Sequence, residues 1–216
     1  MSMIEKLNST HIDVLKEIGN IGAGHSATAL SKLLNKKIDM KVPNVKLVTF
    51  DEMMDMAGGP DNVVASVFLR IEGDAPGSMF FVLPLPQATR FIHQMTGENT
   101  FDFKEPPYSE LGISALQELG NILSGSYLSS LSDFTSLNLY PTVPALSIDM
   151  VGAILGYGLI ELSQVSDFAI VIDTIITEEE DGSCEDVKGH FFLLPDPDSF
   201  EIIFKSLGVM LDESND

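Results

Sequence analysis

Apolar residues recur every three to four positions downstream of His11, which is the spacing of an amphipathic helix. The residues expected to pack inward are Val14, Leu15, Ile18, Ile21 and Gly22. A second stretch with the same spacing begins at about Gly112. Its apolar arc consists of Ala115, Leu116, Leu119, Ile122 and Leu123. We therefore predict two long amphipathic helices, one in each half of the chain.

Shorter apolar stretches bounded by turn residues predict further strands and helices. The predicted strands are Val45–Phe50, Val63–Arg70, Ser78–Leu83, Leu146–Met150, Phe168–Ile176 and Gly189–Leu194. The predicted short helices are Gln87–Thr96 and Ser199–Leu207.

The two halves of the sequence repeat each other. Residues His11–Val45 align without gaps to Gly112–Leu146 at an offset of 101, and Phe80–Pro86 matches Phe191–Pro197 at an offset of 111. The ten additional residues of the second half, Glu178–Val187, are acidic and turn-forming. We expect them to form a lengthened hairpin loop.

The order of these elements favours an α+β fold with a mainly antiparallel sheet and pseudo-twofold symmetry. We expect one domain over residues 1–216, made of two repeats at about 8–105 and 109–216. Two independent domains are less favourable because each half has only a few strands and would expose a sheet edge.

Composition narrows the choice of partners and of compartment. The 216 residues carry a formal net charge of -20, which repels nucleic acid and anionic lipid surfaces. The single cysteine, Cys184, cannot form an internal disulfide, and no stretch resembles a signal peptide or a membrane span. We expect a soluble cytoplasmic protein that binds neither nucleic acid nor membrane.

Three polar positions share one face of the first helix and recur in the second. Asp13, Glu17 and Asn20 stand at i, i+4 and i+7, and the equivalent residues are Ser114, Glu118 and Asn121. Any amphipathic helix has a polar face, which is the ordinary explanation for a single copy. Here Glu and Asn persist in both copies while neighbouring solvent-side positions change, and Asn is a poor residue for a helix interior. The repetition indicates a functional role.

The chemistry of this pair suits positioning. A carboxylate can bind a cation on a partner, and a carboxamide, with two donors and one acceptor, can orient a water for attack. Phosphoryl transfer needs such alignment when the reactive centre and its metal belong to the partner.

The complete pattern is Asp/Ser-x3-Glu-x2-Asn-x22-Pro, and it ends at Pro43 in one copy and at Pro144 in the other. This pattern resembles the signature of the CheC, CheX and FliY phosphatases of bacterial chemotaxis. Two intact copies without added terminal segments are most similar to the CheC type.

The resemblance implies a phosphatase that hydrolyses the acyl phosphate of the response regulator CheY. Glu17 and Glu118 would pair with a lysine of phosphorylated CheY, while Asn20 and Asn121 would hold the attacking water. Asp13 and Ser114 would support the site, and Pro43 and Pro144 would be structural, ending the helical layer and starting a strand. The Mg²⁺ of the reaction would belong to the response regulator, so the resemblance implies no metal or cofactor in this chain.

A second partner, the receptor deamidase CheD, is also implied, with a contact near Ser147–Met150 that includes Asp149. A half-buried strand or turn explains those residues equally well. The alternative function is a catalytically weak or silent module that binds CheD or a component of the flagellar switch.

Other signals are weaker. Gly22–Ala27 matches the dinucleotide fingerprint Gly-x-Gly-x-x-Ala, which would favour an oxidoreductase, but it continues a helix where a preceding strand is required. The four histidines lack ligand spacing, and Asp51, Glu52 and Asp55 miss the spacing of a calcium loop. Acidic neighbours around Cys184 make a nucleophilic role doubtful.

Overall fold

A computed structural model describes residues 9–104, 106–162, 168–180 and 183–208. The helices are α1 Ser9–Leu34, α2 Phe50–Met56, α3 Leu85–Thr96, α4 Glu110–Thr135, α5 Val151–Leu162 and α6 Pro197–Ser206. The strands are β1 Ile38–Lys41, β2 Val45–Thr49, β3 Val63–Gly73, β4 Gly77–Pro84, β5 Leu139–Pro141, β6 Ala145–Met150, β7 Phe168–Glu180 and β8 Ser183–Pro195.

The eight strands form one antiparallel sheet in the order β1-β7-β8-β4-β3-β5. Strand β2 also pairs with β7, and β6 also pairs with β3. The first-half strands β1 and β2 therefore join a strand of the second half, while β5 and β6 of the second half join a strand of the first. This exchange gives the sheet its pseudo-twofold arrangement.

Helices cover both faces of the sheet. A large core lies between one face and helices α1, α3, α4 and α6, with Phe81, Phe91, Phe191 and Phe204 almost fully buried. A smaller core on the other face contains Met53 of α2 and Val151 and Leu155 of α5. Side chains alternate between the two faces along each strand, so a strand such as β8 contributes to both cores.

The long helices α1 and α4 pack against each other near Gly22 and Tyr127. A methyl group at Gly22 would lie 2.9 Å from a ring carbon of Tyr127 and 3.0 Å from its Cα, so the close approach requires a residue without a side chain. The Tyr127 hydroxyl is 3.1 Å from Oγ1 of Thr174 in a buried hydrogen bond. Burial raises the pKa of Tyr127 to about 12, and the Thr174 hydrogen bond opposes that rise.

The structure confirms the α+β class, the antiparallel sheet, both long helices and the six predicted strands, with shifts at their ends. Gly22–Ala27 lies inside α1, as predicted, and not after a strand. The sequence did not predict α2, α5, β1 or β5, because these are short segments or an almost uniformly apolar helix without clear periodicity. Pro43 and Pro144 each follow one of these short strands, so a strand separates the helical layer from the proline.

The prediction for Glu178–Val187 was wrong in part. A hairpin is present, but β7 extends to Glu180 and β8 begins at Ser183, so the acidic segment lengthens the two strands. Thr177 and Asp186 face each other in this ladder and are joined by a side-chain hydrogen bond of 2.8 Å. The side chains of 178–185, including Cys184, lie outside the described part of the structure.

No helix within the described residues combines the length and the apolar character that crossing a bilayer requires.

Candidate functional site

Each motif lies in the first half of a 26-residue helix. Helix α4 begins after Ser109, whose hydroxyl accepts a hydrogen bond from the Gly112 N–H at 3.3 Å, and Glu110 stands in its first turn. The buried residues Leu116, Leu119 and Leu123 hold this helix on the core. The motif residues therefore lie on well-anchored helical backbone.

All six motif side chains are exposed. Asp13, Glu17 and Asn20 on α1 form the first site, and Ser114, Glu118 and Asn121 on α4 form the second site. This agrees with the outward face that the sequence predicts. The Glu17 and Glu118 carboxylates are exposed and have no ion-pair partner among the described residues.

In the first site, the carboxamide of Asn20 is anchored to the strand layer. Its Oδ1 accepts a hydrogen bond from the backbone N–H of Val42 at 3.1 Å. Val42 itself is only 2% exposed, and a methyl group on Gly19 would lie 3.4 Å from both of its methyl groups. The bond fixes the orientation of the amide and leaves both Nδ2 hydrogens and a second Oδ1 lone pair for other partners.

In the second site, the motif faces an open groove of about 570 Å³. One wall comes from α4 and the other from the segment between β5 and β6. The lining residues are Ser114, Gln117, Glu118, Asn121, Pro141, Thr142, Val143 and Pro144. The predicted site residues Ser114, Glu118, Asn121 and Pro144 thus come together in one concave surface.

The strand side of this groove is held by Thr142. Its N–H donates to the carbonyl oxygen of Arg70 at 2.9 Å, and its Oγ1 accepts from the Arg70 N–H at 3.0 Å. The Arg70 guanidinium forms a bidentate pair with Asp196, with distances of 3.0 and 2.7 Å, and also donates to Ser78. The segment after β5 is therefore fixed to β3 at both the backbone and the side chain.

The two sites differ at one pair of equivalent residues. Val42 in the first site is buried, whereas Val143 in the second is 89% exposed. The space behind the helix is also filled differently. Gly19 is packed by Val42 and, at 3.6 Å, by Ile172 of β7, whereas Gly120 is packed by Val67 of β3, which approaches within 2.5 Å of a methyl group at that glycine.

The sites offer no arrangement for a metal. Among the residues that the structure describes, no cluster of three or more histidine, cysteine, aspartate or glutamate side chains could hold an ion. Asp51, Glu52 and Asp55 lie on α2, where Glu52 closes a capping box with Thr49. These hydrogen bonds lower the pKa of the Glu52 carboxyl, and they give Glu52 a structural role in capping α2.

Sequence reasoning missed Thr142, Val143 and Arg70 as parts of the second site. Val42 and Val143 are aligned in the internal repeat, so their positions were visible. Their opposite burial was not visible, because it depends on strands from the other half of the chain. Asp149, predicted as a contact for CheD, is exposed on β6 opposite Val64 of β3 and is not one of the residues that line the groove.

Comparison with known proteins gives matches along nearly the whole chain. The CheC-like family matches residues 11–47 and 111–148, which contain the two motifs. The CheY-P phosphatase CheC of Bacillus subtilis (strain 168) is 52% identical over 211 residues, covering 98% of this chain and 100% of the relative. The flagellar motor switch phosphatase FliY of the same organism is 32% identical over 145 residues, covering 67% of this chain and 37% of the relative.

Solved structures share the fold. The crystal structure of Thermotoga maritima FliY matches with a TM-score of 0.67 at 20% identity, covering 94% of this chain and 98% of that one. The FliM middle domain from H. pylori matches with a TM-score of 0.65 at 12% identity, covering 93% and 99%. Because the Bacillus relative is similar from end to end and both motif segments match the family, this chain belongs to the CheC-like family.

Proposed function

We propose that this protein is a phosphatase that hydrolyses the acyl phosphate of phosphorylated CheY, using the two exposed Glu/Asn pairs. The observation that carries the proposal is the repetition of this pair on the outward face of two anchored helices. The 52% identity to a CheY-P phosphatase supports the substrate.

Glu17 and Glu118 bind a lysine of the response regulator. Both carboxylates are exposed and lack an ion-pair partner among the described residues, so docking does not require an existing pair to break. An exposed ion pair contributes little free energy in water, but it gains strength as docking excludes solvent around it. Its main effect is to set the register of the partner on the helix.

Asn20 and Asn121 hold the attacking water. Each is one helical turn beyond its glutamate on the same face, so a partner bound by the glutamate lies within reach of the amide. In the first site, the Val42 N–H on Oδ1 restricts the amide to one orientation before the partner arrives. A prearranged amide loses less entropy when it positions the water.

The phosphoryl group and its Mg²⁺ are supplied by the response regulator. This chain contributes alignment of the water and exclusion of solvent, and no side chain of its own is phosphorylated in this scheme. An acceleration of tenfold to a thousandfold corresponds to about 1.4 to 4 kcal/mol, which a single well-held water can supply.

The test follows the decay of phosphorylated B. subtilis CheY with the wild type and with the Asn20→Ala, Asn121→Ala and double variants. Each single variant is expected to keep part of the acceleration, and the double variant is expected to return decay to the intrinsic rate of CheY. The matched control is Asn99→Ala, which removes an exposed asparagine outside both motifs and is expected to keep full activity. A double variant that still accelerates decay like the wild type contradicts the site assignment.

We also propose that CheD binds at the surface around Asp149. The side chains of Asp149 and Met150 are exposed at the end of β6. Asp149→Lys is expected to lose CheD in a pull-down and to keep phosphatase activity measured without CheD.

If the wild type does not accelerate the decay of phosphorylated CheY even with CheD present, the chain is an interaction module and the phosphatase proposal is wrong.

A further inference from the structure

We infer that Val143 is an apolar docking contact through which the second site binds its phosphorylated response regulator. The inference rests on the proposed function and assigns a specificity role to a residue outside the Glu/Asn pair.

The first observation is the unusual exposure of this side chain. Val143 is 89% exposed, although burying a valine side chain away from water is favourable. Its equivalent in the repeat, Val42, is 2% exposed, so the repeat can bury this residue and does so in the first half. The fold therefore exposes Val143 to solvent, although the same repeat position is buried in the first half.

The second observation is the support beneath it. Val143 stands between Thr142, which is bonded twice to the backbone of Arg70, and Pro144, with Pro141 ending β5. Two prolines restrict φ in this short segment. The Arg70 guanidinium is in turn tied to Asp196 at the start of α6. The valine is therefore held outward on a fixed segment, so little conformational entropy is lost when a partner covers it.

The third observation is its position beside the motif. Val143 lines the same groove as Glu118 and Asn121, on the wall opposite α4. A molecule that places its phosphoryl group at Asn121 and a lysine at Glu118 must enter this groove, and it then covers Val143. Burial of the valine adds affinity that is the same before and during the reaction, because the valine touches no reacting atom.

The first site has no equivalent contact. Val42 packs on Gly19, and its N–H is bonded to Asn20, so its side chain and its backbone donor are both occupied within the protein. Glu118, Asn121 and the exposed Val143 in one groove fit a phosphorylated receiver domain that offers a lysine and an apolar surface beside its phosphoryl group.

The experiment isolates the second site by using Asn20→Ala as the parent. Steady-state kinetics with phosphorylated B. subtilis CheY are measured for the parent and for the parent with Val143→Ser, Val143→Leu or Val63→Ser. Val63 is the matched control, since it is a 41% exposed valine outside the groove. Val143→Ser is expected to raise KM about tenfold with kcat retained, because about 1.4 kcal/mol of apolar burial is a factor of ten. Val143→Leu and Val63→Ser are expected to match the parent.

The outcomes separate the inference from the proposed function. If the parent accelerates decay and Val143→Ser leaves KM within twofold of Val63→Ser, Val143 is not a docking contact, although the phosphatase proposal stands. If Val143→Ser lowers kcat at unchanged KM, the residue acts on the reaction and the docking role is wrong. A parent without activity removes both the function of the second site and the inference built on it. Thermal unfolding of each variant confirms that the exposed substitution leaves the fold intact.

Discussion

Gly120 and Gly24 are both interior residues of long helices, yet a methyl group added to each would meet opposite surroundings. At Gly120 the group would lie 2.5 to 2.7 Å from three carbon atoms of Val67, a β-branched side chain that cannot rotate away easily. At Gly24 no described residue outside the backbone of its own helix and its two chain neighbours has an atom within 4 Å. The sequence shows two helical glycines, and only the packing separates a required one from a replaceable one.

We predict that Gly120→Ala lowers the free energy of unfolding by about 1 to 3 kcal/mol, because α4 must move away from β3. Gly24→Ala is expected to raise it by about 0.4 to 1 kcal/mol, since alanine loses less backbone entropy on folding. Urea denaturation of both variants beside the wild type measures the difference. Equal effects of the two substitutions would contradict the packing described for Gly120.

At the scale of elements, the contact between α1 and α4 contains an ionisable group whose titration is shifted. Tyr127 packs beside Gly22 of α1 and against Phe191 of β8, with its hydroxyl bonded to Thr174 of β7. Burial raises its pKa from 10.0 to about 12. Ionisation therefore occurs at lower pH in the unfolded chain than in the folded protein.

This shift predicts a loss of stability at alkaline pH. The contribution of Tyr127 to the stability of the folded protein is fully present below pH 10, decreases as the tyrosine of the unfolded chain ionises, and is lost as pH rises to about 12. Over that range the free energy of unfolding falls by about 2 to 3 kcal/mol from this group. Denaturation curves at pH 8 to 11.5 measure it.

Tyr127→Phe is the comparison for this measurement. Because the hydrogen bond to Thr174 is removed, the free energy of unfolding of this variant is expected to be lower by about 0.5 to 1.5 kcal/mol at neutral pH. Above pH 10 its free energy of unfolding is expected to decline less steeply than that of the wild type. A decline as steep as that of the wild type would mean that other groups cause the alkaline loss.

At the scale of the whole molecule, the exchange of strands makes each site depend on both halves. Strands β1 and β2, which follow the first motif helix, pair with β7 of the second half. Strands β5 and β6, which follow the second motif helix, pair with β3 of the first. In each half, the strands that follow the motif helix therefore have their pairing partner in the other half.

We predict that fragments 1–107 and 108–216 do not fold separately, because each would expose its unpaired strands and half of the sheet. Each alone is expected to lack a cooperative thermal transition by circular dichroism, whereas refolding the two together is expected to restore one. The intact chain is the control. A sharp transition in either isolated fragment would show that the repeats are independent domains.

The sequence predicted much of the architecture. Helical spacing around Leu15 and Leu116 is a local property, and so is a short apolar stretch bounded by turn residues, such as Val63–Arg70. The repeat at an offset of 101 places Glu17 with Glu118 and Asn20 with Asn121, and their outward orientation follows from the apolar arc on the opposite side of each helix. The roles of these residues in catalysis remain predictions.

The sequence alone determined that two equivalent helices each present a glutamate and an asparagine to solvent, because helix geometry relates residues three and four apart whatever surrounds them. The tertiary structure decided that Val42 is buried and bonded to Asn20 while Val143 stands exposed in an open groove. Identical residues at repeated positions meet different side chains from the other half of the chain, such as Ile172 beside Gly19 and Val67 beside Gly120. Long-range pairing sets these surroundings, and no local pattern of hydrophobic and polar residues encodes them.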